Sequence, residues 1–359
     1  MTRSLRGGVL TALAISSTLI VLAGCGSAES KPKHAAAVSK STSASASTTS
    51  APSGQTFTLG LQEVYSVLPA LVAEDEGFLK KHGIAKLQTV TFTSLPAFAT
   101  ALAKGEVDAG LQTPSLLQTY NATTSGSKLA FVAPGQAFNI SWIARKGSGV
   151  PVATAANWQS TVRAWRGKKI GVSATGGITE LVTNYLLEQV GLKPSDVTIT
   201  AVAPGAPQLA AMKAGVVDLT VGDSFGTQVA IAAGAGTDVL DTGLGQGPSE
   251  WQGILESGYM ASRETIEKHS ELFADFAAAL KEARAFLANA ANRSAIEASI
   301  VKHTQVSATI AKALYPFVHE FTVPLTTEVY EKTTKALVAA KVLKSPAPTY
   351  EEAVYDVEG

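Results

Sequence analysis

A ten-residue phrase occurs twice in this chain and sets its architecture. Ala101-Leu-Ala-Lys-Gly-Glu-Val-Asp-Ala-Gly110 and Ala211-Met-Lys-Ala-Gly-Val-Val-Asp-Leu-Thr220 each read as a helix end, a glycine stop, Val-Asp and a strand. Glycine ends a helix without strain because it takes the left-handed conformation freely. Each copy closes a run of alternating strands and helices. The first run predicts strands at 57–61, 87–92 and 107–111, with helices at 68–82 and 96–103 closed by Gly83 and Gly105. The second predicts strands at 169–172, 197–202 and 217–221, with helices at 179–190, 208–213 and 227–233. A repeated βαβ-type unit predicts two α/β lobes of related build. From Tyr259 the texture changes: no proline occurs until Pro316, and Leu272, Phe273, Phe276, Leu280, Phe286 and Leu287 share one helical face. The C-terminal third is therefore expected to be mostly helical.

Composition narrows the partners. The 29 Lys+Arg balance 29 Asp+Glu, whereas a nucleic-acid phosphate backbone asks for a basic stripe, so no nucleic acid is expected. Apolar residues make up 46% of the chain, enough for a large core. The single cysteine excludes an internal disulfide and a multi-thiolate zinc site, and no metal or other cofactor is expected.

The N-terminus has the form of an export signal: Arg3 and Arg6, an uncharged apolar stretch from Gly7 to Ala23, then Leu22-Ala23-Gly24-Cys25. That tetrapeptide resembles the bacterial lipobox. The resemblance implies cleavage before Cys25 and lipid on its sulfur; an uncleaved anchor with an incidental cysteine is the alternative. Either places the remainder outside the cytoplasmic membrane. Gly26 to Gly54 holds 19 Ser, Thr or Ala in 29 residues and no aromatic, the composition of a flexible tether.

Five further phrases carry a family resemblance. They are Leu71-Val-Ala-Glu-Asp-Glu-Gly-Phe-Leu-Lys-Lys-His-Gly-Ile84, the segment Ala101 to Gly110, Trp165-Arg-Gly-Lys-Lys-Ile-Gly-Val172 with Leu186-Leu-Glu-Gln-Val-Gly-Leu192, Tyr259-Met-Ala-Ser262, and Lys268-His-Ser-Glu-Leu272. In this order, from about Phe57 to Phe286, they resemble the solute-binding proteins for nitrate, sulfonate, taurine and thiamine-precursor uptake. The resemblance implies a two-lobed type II periplasmic-binding-protein fold with two crossover strands. Residues 1–24 would be signal peptide, 25–54 the lipidated cysteine and linker, 55–140 with 257–359 lobe 1, and 141–256 lobe 2. It implies a lipid-anchored, monomeric component of an ABC importer that closes on a small solute, serves a membrane permease and is no enzyme.

Ligands of open α/β sheets sit beyond the carboxyl ends of strands. That rule selects Gln62, Glu63 and Tyr65 after the first strand and Thr113 and Ser115 after the third. It also selects Ser173, Thr175, Gly176 and Gly177 in the second lobe, then Asp223 and Ser224. Asn139 and Ser141 lie near the expected first crossover, and Trp251 is a candidate for stacking. The loop 173–177 suits an anion through hydroxyls and backbone N–H groups, or simply caps the next helix. A sulfonate or taurine-like ligand is expected first. A thiamine-type pyrimidine or nitrate-like anion is the alternative, and Glu63 and Asp223 would answer a cationic end. An enzyme reading competes: Gly222-Asp-Ser-Phe-Gly226 matches G-x-S-x-G after a strand. Asp238, Asp241, His269, His303 and His319 follow in a workable order for a lipid-anchored serine esterase.

Overall fold

The structure, a computed structural model, describes residues 54–357. The signal peptide, Cys25 and all but the last residue of the tether lie outside the described residues. Ten strands are present among the described residues: β1 Gln55–Leu61, β2 Ile84–Thr91, β3 Ala109–Gln112, β4 Leu129–Pro134, β5 Ser141–Arg145, β6 Lys169–Val172, β7 Thr198–Ala201, β8 Leu219–Gly222, β9 Gly236–Asp241 and β10 Gly258–Ser262. They form two five-stranded sheets, β2-β1-β3-β10-β4 in lobe 1 and β7-β6-β8-β5-β9 in lobe 2. In each sheet the first three strands are parallel and the fourth runs against its neighbours.

The repeated phrase has a mechanical role. Asp108 accepts the Thr58 N–H at 2.6 Å while its own N–H donates to Thr58 O at 2.9 Å. Asp218 accepts the Lys169 N–H at 3.0 Å and donates its N–H to Lys169 O at 2.7 Å. Each aspartate ties the start of the central strand to its parallel neighbour.

Two crossovers join the lobes. They pair with each other at Ala137 and Leu255, and the Phe138 N–H donates to Ile254 O while the Glu256 N–H donates to Gln136 O. The chain fills separate cores on either side. Phe57, Phe273, Phe276 and Leu280 belong to lobe 1, whereas Trp142, Trp158, Trp165 and Trp251 belong to lobe 2.

Two expectations change. The helix expected at 68–82 is two helices, Leu68–Asp75 and Phe78–Lys81, because Gly77 adopts a left-handed φ of 78° between them. Residues 257–359 are expected in lobe 1; the helix Ser270–Ala288 packs in the lobe 1 core, while the tail that follows contributes to both cores. The helix Thr327–Ala339 buries Tyr330 in lobe 1, and then Ala336, Leu337, Ala340 and Leu343 enter the core of lobe 2. The chain returns to lobe 1 at Ala353 and Val354, where Val354 bridges β4. Apolar positions on that one helix span both lobes, so the tail straps them together.

Candidate functional site

A cavity of about 800 Å³ lies between the lobes. Lobe 1 contributes the loop after β1 and the end of the helix Arg293–Thr304; the crossovers contribute Ile140 and Glu256; lobe 2 supplies a largely apolar wall that includes Ile178, Leu209, Met212 and Val229.

Its polar part is acidic. Glu63 follows β1 and meets Asp223, which follows β8 in the other lobe, through a side-chain hydrogen bond. The Asp223 carboxylate beside it, and then burial, push Glu63 up to about 8. Asp223 also caps the helix Ser224–Ala232, accepting the Gly226 N–H at 2.6 Å. Glu256, half-buried in the second crossover, accepts the Asn139 N–H; burial, then Asp223 and Glu63, push it up to about 8. Glu320 is 1% exposed. Burial first, then Glu256 and Asp223, hold its carboxyl well above the usual range. It accepts from Gln136 Nε2 at 3.3 Å and from Asn139 Nδ2, while Asn139 Oδ1 takes the Ser224 N–H at 3.1 Å. Asn139 therefore links the C-terminal helical part to the first crossover and to lobe 2. No lysine or arginine lines the cavity among the described residues, and His303 is turned to Asp75 at 3.0 Å.

The aromatic part is a stack across the cleft. Tyr65 and Phe225, from opposite lobes, lie 5.0 Å apart at 24°, and Phe321 meets Tyr65 edge-on at 5.4 Å. The Tyr65 hydroxyl is buried against the Glu320 carboxyl, and burial, Glu320 and Asp223 all oppose its ionisation. Thr227, also on the cavity wall, has a buried hydroxyl with no partner among the described residues.

Residues 50–301 match the model of the NMT1-like family. The chain belongs to the NMT1-like family. No curated protein matches it in sequence. Solved structures match it in shape. The aliphatic sulphonate binding protein SsuA of Escherichia coli is 21% identical with a TM-score of 0.63, over 84% of this chain and 98% of that one. The ligand binding component of an ABC-type import system from Staphylococcus aureus is 14% identical with a TM-score of 0.66, over 85% and 98%. The periplasmic nitrate-binding protein NrtA of Synechocystis PCC 6803 is 17% identical with a TM-score of 0.57, over 73% and 70%. At such identities the shared property is the fold, and it is the two-lobed periplasmic-binding-protein fold expected from the sequence.

In this NMT1-like protein the sequence-selected residues divide. Glu63, Tyr65, Ser173 and Asp223 line the cavity. Gln62 accepts from Gln112 Nε2 at 3.0 Å, and Thr113 caps its helix through the Leu116 N–H and bonds Ser115 Oγ at 2.9 Å. Part of the donor set of the loop 173–177 is taken up internally: the Ser173 N–H and hydroxyl meet Thr179 Oγ1, the Gly176 N–H donates to the Glu180 carboxylate at 2.7 Å and the Gly177 N–H to Ala174 O at 3.1 Å. Thr175 and Gly176 are exposed, and with Gly177 they stand outside the cavity wall. Ser141 donates to Asp238 at 3.1 Å inside lobe 2. Trp251 is 1% exposed and packs on Phe138 and Tyr185 in the lobe 2 core, away from the cavity.

The esterase geometry is absent at Ser224. Its hydroxyl is buried without a hydrogen-bond partner. The ring nitrogens of His319 face the Pro316 and Gly243 carbonyls, His303 is held by Asp75, and exposed His269 stands near Asp108. Sequence reasoning missed Glu256, Glu320 and Thr227. Glu320 had a usable signal, a lone acid beside His319 in the mostly apolar run Tyr315-Pro-Phe-Val-His-Glu-Phe321. Glu256 had none, because its role depends on the crossover that carries it.

Proposed function

We propose that this protein is the substrate-binding component of an ATP-driven importer, anchored outside the cytoplasmic membrane by lipid on Cys25. It acts as a monomer, takes one small organic solute between its lobes without altering it, and delivers it to a membrane permease. The cleft carries this reading: both lobes wall a cavity of about 800 Å³, and the buried hydroxyl of Thr227 on that wall has no partner among the described residues. Buried polar groups are nearly always paired, so this atom is suited to something that enters. The paired crossovers at Ala137 and Leu255 are the natural place for a hinge. The structural neighbours, which include sulphonate- and nitrate-binding proteins, support the same class. Among the ligands considered, the acidic wall favours amine-bearing or pyrimidine solutes over sulfonates and nitrate-like anions.

The test is a thermal-shift series on the chain from Gly26 onward. The panel holds taurine, alkane- and arylsulfonates, nitrate, thiamine-type pyrimidines and organic amines, with short esters assayed for turnover. A ligand at about 100 times its Kd adds about 2.7 kcal/mol to stability. The expected result is a raised Tm with at least one solute and no ester cleavage. Cleavage that disappears in Ser224→Ala, with no solute moving the Tm, would show the reading to be wrong.

A further inference from the structure

The geometry points to a solute with an N–H-bearing cationic group, clamped between Glu63 of lobe 1 and Asp223 of lobe 2, and an apolar body laid on the lobe 2 wall. This deepens the receptor reading above and rests on it. Four carboxyl groups from four separate stretches of chain gather here: Glu63, Asp223, Glu256 and Glu320. Among the described residues lining the cavity there is no lysine or arginine to balance them, and His303 is committed to Asp75. Like charges in a partly desolvated site must be neutralised by a proton or by a cation.

A second observation is independent of the acids. Thr227, 0% exposed, is on the wall of the same cavity and its hydroxyl has no hydrogen-bond partner among the described residues, whereas the Tyr65 hydroxyl meets the Glu320 carboxyl. The Thr227 oxygen can accept from an N–H group. No three His, Cys, Asp or Glu side chains among the described residues are arranged to hold a metal ion, so an organic cation fits better than a metal. Ile178, Leu209, Met212 and Val229 give its body an apolar surface, and Phe225, stacked on Tyr65, adds an aromatic edge to the wall. An anionic headgroup would instead face Asp223 with no counter-charge.

The clamp has a proton stage. The titratable and charged groups around the cluster of Glu63, Asp223, Glu256 and Glu320 are Tyr65, Asp241, which acts on Glu320, and the His303–Asp75 pair at the cavity wall. Asp223 and burial push Glu63 up to about 8, so the carboxyl pair holds a proton more readily than free carboxyls do. A bound cation replaces that proton, so its affinity rises as pH rises toward 8.

The test titrates the full chain calorimetrically with benzamidine, benzamide and benzoate, near-isosteric probes of positive, zero and negative charge. At about pH 8.5, benzamidine is expected to bind at least about tenfold more tightly than benzamide, with benzoate weakest. Between about pH 6 and 8.5 its affinity should rise about tenfold or more, since an amidinium stays protonated throughout. Glu63→Gln should cost benzamidine about tenfold and flatten the pH dependence. Asp223→Asn, which keeps the helix cap, should cost a similar factor. Benzoate binding most tightly, or equal affinities, overturns the clamp and leaves the receptor reading in place, as does failure of all three while a sulfonate or nitrate binds. Failure of these probes and of the whole solute panel overturns both.

Discussion

Asp108 in lobe 1 and Asp218 in lobe 2 occupy the same place in the repeated phrase, make the same two backbone bonds and differ in charge balance. Asp218 has Arg145 Nη2 at 2.8 Å. Burial works against its carboxylate, but the Lys169 amide and Arg145 hold it below its usual range. Asp108 has no such ion pair, and burial outweighs the Thr58 amide and His269, so its carboxyl is raised. The phrase therefore encodes a backbone clamp, and the surroundings decide the electrostatics. The same holds across the molecule: two sheets of one build present a cleft whose acids no repeat foretells.

The sharpest break in the equivalence lies two residues further on. Gly110 and Thr220 share a position, but a Cβ at Gly110 would stand 2.4 Å from the buried Phe98 ring, whereas lobe 2 accommodates a threonine there. Gly110→Ala is expected to cost about 2–3 kcal/mol in urea unfolding, and Thr220→Ala about 1 kcal/mol or less. Equal costs would show that the lobes pack alike at this layer. Next in size, Asp218→Ala should cost about 1.5–3 kcal/mol near neutral pH, more than Asp108→Ala, because it removes a charge-assisted pair as well as the backbone bond. The Asp218 contribution is present above the unfolded carboxylate range and is lost as pH falls through its lowered folded value. A cost that persists unchanged in acid would contradict that assignment.

A smaller effect separates cleft from lobes. Glu63, Glu256 and Asp241 are pushed up to about 8, Asp238 to about 6, and burial holds Glu320 well above the usual carboxylate range. Groups raised in the folded state add stability below their unfolded values that is lost as pH rises through the folded ones. The ligand-free Tm is therefore expected to fall between about pH 4.5 and 8, and Glu63→Gln to flatten part of that fall. A Tm that climbs over this window would contradict the shared-proton account. The smallest effect concerns Trp251, which belongs to the lobe 2 core. Trp251→Phe should lower the Tm while leaving solute affinity within about twofold, because no contact with the solute is removed. A larger loss of affinity would return Trp251 to the site.

Much of the fold was legible because it is local. The glycine stops at Gly105 and Gly215, the apolar strand runs and the repeat led to β1, β3, β6 and β8 and to the helices between them. The antiparallel strands β5 and β10 carry continuous buried runs without alternation, so period gave no signal for them. Their place in each sheet depends on the crossovers, which are long-range. The tail was misplaced for a related reason: amphipathic spacing at Tyr330, Ala336 and Leu337 marks a buried face but not which core receives it. At the site, Glu63, Tyr65 and Asp223 were legible as strand-end residues. The loop 173–177 has the composition of an anion site, yet Thr179 and Glu180 take up the donors of Ser173 and Gly176. Glu256 and Glu320 reach the cleft only through tertiary packing.

The central claim is that a solute is held by groups from both lobes. Lys86 and Lys193 are exposed, one in each lobe, and Cys25 is the only native cysteine. Spin labels at Lys86→Cys and Lys193→Cys on a Cys25→Ser background report the inter-lobe distance directly. With benzamidine at saturation, the account predicts that a broad, longer distribution becomes a single shorter one, and that Glu63→Gln weakens the response. A distribution unchanged by saturating solute would contradict it.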